Sequence, residues 1–150
     1  MNVFEVRTMK QNNGFTLVEL LTVIAIISIL AMIAIPAYVG QTRNATRSEA
    51  YQNLSALRLF EEQFFSENSD YTATAADVAA IQGMLPGFQP GQIPNLNFTY
   101  QIVHDQNITS IGPLAYGASA PCFTAIATGI AGTRVDGEIF AIDCNYNKNF

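Results

Sequence analysis

Residues 20–39 contain no charged side chain, and one carboxylate, Glu19, stands at the edge of this run. A helix rises about 1.5 Å per residue, so about 20 apolar residues cross a hydrocarbon core of about 30 Å. The run is long enough to span a bilayer. From residue 41 to residue 68 the pattern changes: Ala50, Leu54, Leu57 and Phe64 recur at spacings of four, three and seven, which is one apolar stripe on a helix. Arg43, Arg47, Glu49, Arg58, Glu61 and Glu62 fall mostly elsewhere on the wheel. Residues 15–68 therefore read as one long helical pattern, interrupted only by Pro36 and Gly40. Its first half suits lipid or the interior of an assembly, and its second half is expected to pack on a globular head. Pro36 has no backbone donor and displaces the carbonyl of Met32, so a kink or loosening is expected there. In a bilayer Ser28 or a neighbouring helix would have to make good that loss.

Beyond residue 68 the helical pattern fades, and an Ala-rich stretch, residues 75–84, reads as a short helix of two turns. Residues 86–95 are turn-rich. Leu96, Phe98, Tyr100 and Ile102 then alternate with polar residues, the period-two signature of a strand with one buried face. Residues 123–128 and 138–144 read as two further strands joined through residues 129–137, with a fourth strand near residues 114–118. The fold class expected is α+β, a small antiparallel sheet laid across the distal half of the long helix.

An ordinary secretory signal carries an apolar run of about 7 to 15 residues followed by a small-x-small cleavage site. Here the run is longer, and no Ala-x-Ala triplet occurs between Phe15 and Gly40. The unusual junction lies ahead of the apolar segment, in Gly14-Phe15-Thr16-Leu17-Val18-Glu19-Leu20. From Gly14 through Ile35-Pro36-Ala37-Tyr38 the chain resembles the type IV pilin family, including the related pseudopilins of type II secretion. The resemblance implies a cut between Gly14 and Phe15 by a prepilin peptidase on the cytoplasmic side, N-methylation of Phe15, and retention of the apolar helix. It divides the chain into a leader at 1–14, a transmembrane and filament-core helix at 15–40, and a head at 41–150 that includes the amphipathic half of the helix. The leader carries Glu5, and Asn13 rather than a basic residue precedes Gly14, so Met9 is a second candidate for the true start.

The resemblance also gives Glu19 and Pro36 roles in assembly. A carboxylate at the centre of a bilayer costs about 2.5 to 3.5 kcal/mol and usually has a partner. Removing the leader creates a positive amine on Phe15, and where helices stack with an axial offset the amine of one subunit would meet Glu19 of another. Such pairing in a dry interior would set register. The plainer reading is that Glu19 lies one turn in from Phe15 and reaches the interface. Leu17, Leu20, Leu21, Ile24, Ile27, Leu30 and Ile33 would pack the filament core, although a simple membrane anchor accounts for their hydrophobicity equally well. In the family the helix often melts ahead of the proline, where many members have a glycine eight positions earlier; this chain has Ser28.

Charge narrows the partners. The 150-residue chain has a formal net charge of −5, and removing Arg7, Lys10 and Glu5 with the leader leaves five bases against eleven acids. That balance disfavours non-specific nucleic-acid binding. The two cysteines, Cys122 and Cys144, would form a disulfide if the head lies outside the cytoplasm, and a disulfide bracketing a C-terminal loop is common in pilins. The alternative is two unrelated buried thiols. No metal site or cofactor is expected, because His104 and two distant cysteines match no zinc spacing, and Asp136, Glu138 and Asp143 lack the spacing of a dedicated calcium loop. Those three acids read as hairpin charges kept in water. His104 reads as a surface or strand-end residue with no nucleophile motif beside it, and Phe60, Phe64, Phe65 and Tyr71 as packing between helix and sheet.

These observations suggest a structural protein rather than an enzyme. It would be a type IV pilin, held in the inner membrane as a single-pass precursor with its head outside the cytoplasm. It would then self-assemble with the pilus assembly machinery into an extracellular helical filament for adhesion, twitching motility or DNA uptake. A pseudopilin of type II secretion is the first alternative. The second, from another class, is a membrane-anchored periplasmic binding protein or enzyme that keeps residues 1–14.

Overall fold

In the computed structural model, which describes residues 14–92 and 95–150, the apolar run and the amphipathic stretch form one helix, α1 (Leu17–Asn68). The leader through residue 13, the Met9 start, and Ile93 and Pro94 of the turn-rich segment lie outside the described residues. The helix passes through Pro36 without a break. It ends where Ser69 turns to φ +60° and donates its N–H to the Phe65 carbonyl at 2.7 Å, while the Asn68 amide donates to the Phe64 carbonyl. A residue of positive φ just past the last turn is the usual way for a helix to satisfy its orphan carbonyls.

The chain divides into two compact units, one up to Gly40 and the other from Gln41 to Phe150. In the second unit a short helix, α2 (Val78–Met84), is followed by β1 (Phe98–Ser110), β2 (Ala115–Gly129) and β3 (Ile139–Asp143). The three strands form one antiparallel sheet in the order β1-β2-β3. Helix α2 is shorter than the Ala-rich stretch suggested. Asp77 caps it by accepting from the Ala80 N–H at 2.8 Å, and Ala75 instead bridges to Ile102 of β1.

Of the expected fourth strand, residues 114–118, all but Leu114 form the first part of β2, and Leu114 lies in the turn before it. β1 and β2 form a long hairpin whose pairing jumps from His104↔Phe123 to Gln106↔Ala118. Pro121 lies in the excess on the β2 side, where its missing N–H breaks no ladder bond. On the β1 side Asp105 has a φ of +53° and forms the bulge.

That bulge changes which face the strand buries. Phe98, Tyr100 and Ile102 are fully buried against Ala50, Leu54 and Leu57 of α1 and against Phe123, Ala125 and Ala127 of β2. Past the bulge the parity is reversed, and Ile108 joins Ile126 and Ala141 in a second apolar cluster, with Val103, Leu114 and Tyr116 packed on it. Leu54 and Leu57 are both fully buried. Burying each contributes about 1.5 to 3 kcal/mol, so the α1 stripe is a main attachment of helix to sheet. The loop after β2 passes so close to Gly129 that an added Cβ would lie 1.8 Å from the Val135 carbonyl oxygen.

Candidate functional site

The start of α1 is closed by a capping box. Thr16 stands at the N-cap, and its hydroxyl oxygen accepts from the Glu19 N–H at 3.2 Å. The Glu19 carboxylate reaches back and accepts from the Thr16 N–H at 2.9 Å and from the Thr16 hydroxyl at 2.6 Å. Two backbone donors at the helix start, those of Thr16 and Glu19, are satisfied within three residues. The Thr-x-x-Glu spacing that allows this is visible in Thr16-Leu17-Val18-Glu19, although attention to Glu19 as a lone charge passes over Thr16. Gly14 and Phe15 sit just ahead of the cap; among the described residues none stands within 4 Å of where a Gly14 side chain would begin, and Phe15 is 72% exposed.

Along the rest of this unit the apolar side chains named from the sequence are uncovered, among them Leu17, Leu20, Ile24, Ile27, Leu30 and Ile33. Its stretch near the N-terminus is long and apolar enough to cross a membrane. The polar side chains within it turn back on the helix: the Thr22 hydroxyl donates to the Val18 carbonyl at 2.8 Å and the Ser28 hydroxyl to the Ile24 carbonyl at 2.7 Å. Ser28 therefore serves the turn before it rather than the Met32 carbonyl that Pro36 leaves unbonded, because a serine hydroxyl reaches most readily its own i−4 carbonyl.

In the head, Cys122 and Cys144 form a disulfide with Cα atoms 5.4 Å apart. Beside it lies a carboxylate whose role the sequence reading missed. Asp143 is fully buried, and it was expected in water with Asp136 and Glu138. Its Oδ1 accepts from the N–H groups of Asn145 at 3.0 Å and Asn147 at 2.8 Å. Its Oδ2 accepts from the Ile108 N–H and the Asn147 amide, each at 2.9 Å. One carboxylate thus ties the C-terminal turn to β1 beyond the bulge.

Glu138 is also paired rather than merely solvated. Arg47 donates two bonds to it at 2.8 and 2.6 Å, and Arg43 adds bonds at 2.9 and 2.5 Å. The Arg47 bond holds the Glu138 carboxyl below its ordinary value against the opposing effect of burial, and Arg43 adds to the lowering. Asp136 accepts from the Gly132 N–H at 3.0 Å. The three acids therefore serve three separate purposes, and among the described residues no group of His, Cys, Asp and Glu could hold a metal ion.

Glu61, expected off the apolar stripe, is fully buried. It accepts from the Thr72 N–H at 3.0 Å and, over a shorter contact, from the Thr72 hydroxyl. Burial raises its carboxyl above the ordinary value, and the Thr72 bonds only partly offset that. His104 lies within β1 next to the bulge rather than at a strand end; its Nδ1 donates to the Thr72 carbonyl at 2.9 Å and its Nε2 is 3.4 Å from an Asp105 carboxylate oxygen. Tyr71 stacks on Phe65 and packs against Phe123, and Phe60 and Phe64 pack on the main core.

The head thus presents packing and ion pairs, whereas the distinctive chemistry is concentrated at the start of α1. A family model described as the prokaryotic N-terminal methylation motif matches residues 9–35. The type IV major pilin protein PilA of Myxococcus xanthus is 46% identical over 68 residues, which is 45% of this chain. The chain covers only 31% of that relative's length. No solved structure matches significantly. Over residues 9–35, and over the 68 residues of this likeness, the chain is similar to proteins that carry the prokaryotic N-terminal methylation motif and to a type IV major pilin.

Proposed function

We propose that this chain is a structural subunit of a type IV pilus filament, made as an inner-membrane precursor with its head outside the cytoplasm. A prepilin peptidase cuts between Gly14 and Phe15 and methylates the Phe15 amine, and the pilus assembly machinery then extracts the subunit into a helical filament. The observation that supports this reading is the methylation motif, matched over residues 9–35, running into the uncharged stretch 20–39 of α1, whose large apolar side chains are exposed among the described residues. Lipid covers them in the precursor and other subunits cover them in the filament.

Glu19 is the one carboxylate of that segment. In the single chain Thr16 occupies it, which makes it tolerable near a bilayer surface. In the filament it turns to the Phe15 amine of a neighbour, and a subunit out of register leaves a charge buried and unpaired. Pro36 supplies a point where the helix adjusts to its neighbours, because no hydrogen bond to the Met32 carbonyl has to be broken. The filament serves adhesion, surface motility or DNA uptake.

The test is to shear the cells that make this chain, collect the extracellular fibres and measure how much of it they contain. Abundant chain in the fibres supports a major pilin and trace amounts a minor one. Processed chain confined to the envelope points to a secretion pseudopilin, and chain that keeps its leader and forms no filament contradicts the proposal.

A further inference from the structure

Four Asn-x-Ser/Thr triplets occur in the chain, at Asn44, Asn53, Asn97 and Asn107. In an exported protein such a triplet is an acceptor for N-linked sugar when it stands on accessible backbone with a free amide. The fold uses three of the four for other purposes. Asn44 lies inside α1, where its Oδ1 accepts from Arg47 at 3.4 Å and the Thr46 hydroxyl is turned back to the Thr42 carbonyl at 3.0 Å. Asn53, also inside α1, donates its amide to the Tyr100 hydroxyl at 2.8 Å. Asn97 donates its amide to Glu49 at 2.7 Å.

Asn107 differs in each respect. It lies on β1 beyond the bulge, and among the described residues its side-chain amide has no hydrogen-bond partner. Its cross-strand neighbour is Gly117, so no side chain stands opposite it. A Cβ built at Gly117 would come within 2.6 Å of Thr109 Cγ2 and 3.6 Å of Asn107 Oδ1, which places the asparagine and the threonine of the triplet on one face, as a two-residue period requires. Thr109 is exposed. Ile108 between them takes the other face, packs in the second apolar cluster, and donates its N–H to Asp143. The scaffold therefore buries the middle residue and leaves Asn107 half-buried and Thr109 exposed on the other face. Asp105, two positions ahead, is exposed, with its carboxylate 3.4 Å from His104 Nε2.

We propose that Asn107 is a site of N-glycosylation, accepting an oligosaccharide from a lipid-linked diphosphate donor. This rests on the reading that the head is exported. The Asn107 Nδ2 attacks the anomeric carbon of the sugar; the new C–N bond forms as the C–O bond to the diphosphate breaks. The amide gives up one proton to a base of the transferase, and the lipid diphosphate leaves, with no change of oxidation state. The product is a bulky hydrophilic group at the outer part of the β1–β2 hairpin.

The experiment is peptide mass mapping of the chain purified from the cells that produce it, with the cysteine state and the N-terminus read from the same sample. A sugar mass is expected on the peptide containing Asn107 and on none containing Asn44, Asn53 or Asn97. It is expected to vanish in Asn107→Gln and Thr109→Ala and to persist in Thr109→Ser, which keeps the hydroxyl. An unmodified Asn107 in a chain with oxidised Cys122 and Cys144 overturns the glycan proposal alone, as does sugar on the other three asparagines. Reduced cysteines together with an intact Gly14–Phe15 bond overturn the export reading and this proposal with it.

Discussion

Replacing Asp143 with Asn keeps the size and shape of the side chain and removes one acceptor. The native carboxylate receives four hydrogen bonds, three of them from backbone N–H groups. In the variant the amide oxygen can keep the Asn145 and Asn147 N–H groups, and the Asn147 side chain can turn its own oxygen towards the new NH₂. The Ile108 N–H has no such remedy, because a second donor now faces it at a buried position. A buried donor left without an acceptor costs about 1 to 3 kcal/mol, and the bonds that remain lose the strength lent by a full charge. The sum is about 2 to 4 kcal/mol, a large part of the 5 to 15 kcal/mol typical of a domain. Asp143→Ala should cost more still, since no acceptor is left. Urea unfolding of the full chain in detergent, followed by tyrosine fluorescence with the disulfide confirmed oxidised, measures both. An Asp143→Asn variant within about 0.5 kcal/mol of the parent would refute the reasoning, because that is the scatter of ordinary surface substitutions.

Gly129→Ala places a methyl group 1.8 Å from the Val135 carbonyl oxygen, against backbone that cannot rotate away. A loss of about 3 kcal/mol or more in the same assay is expected, and near-neutrality would show that the loop is free to move. Replacing both cysteines by Ala opens a loop with a sequence separation of 22 and should cost about 3 kcal/mol on the chain-entropy argument, with an unchanged denaturation midpoint as the contrary result. Glu61 supplies a pH signature of opposite sign to that of an ordinary ion-paired carboxylate. Its folded value is raised above the ordinary 4.5, so the native state holds the proton more tightly than the unfolded one. Stability is then lost as pH rises through that window and is retained below it. Glu61→Gln can keep both Thr72 bonds, and its melting temperature should match the parent in acid and exceed it at neutral pH; parallel curves would contradict this.

The helix was legible because its signals are redundant. An uncharged run of this length admits few structures, and Ala50, Leu54 and Leu57 mark the buried stripe by spacing alone. The first strand was legible as far as Ile102, where alternation is strict. It stopped being legible at Asp105, since the bulge moves Ile108 to the opposite face and the simple period no longer holds. The apparent separate strand near residue 114 has the same origin, because nothing local reveals that Pro121 sits in a bulge of one continuous strand. Buried carboxylates were the harder omission. Glu61 and Asp143 are acceptable inside only because Thr72, Ile108, Asn145 and Asn147 arrive there from elsewhere in the fold. At the N-terminal segment, Thr16 was there to be read as the other half of a capping box, whereas the partner of Glu19 in an assembly is a property of more than one chain.

Under the proposed function the chain is cut after Gly14 and enters the filament with a modified Phe15. Mass spectrometry of the N-terminal peptide from sheared fibres tests it directly. The expected peptide begins at Phe15 and carries one added methyl group on its amine. A peptide that retains Gly14 and residues before it would rule out this processing.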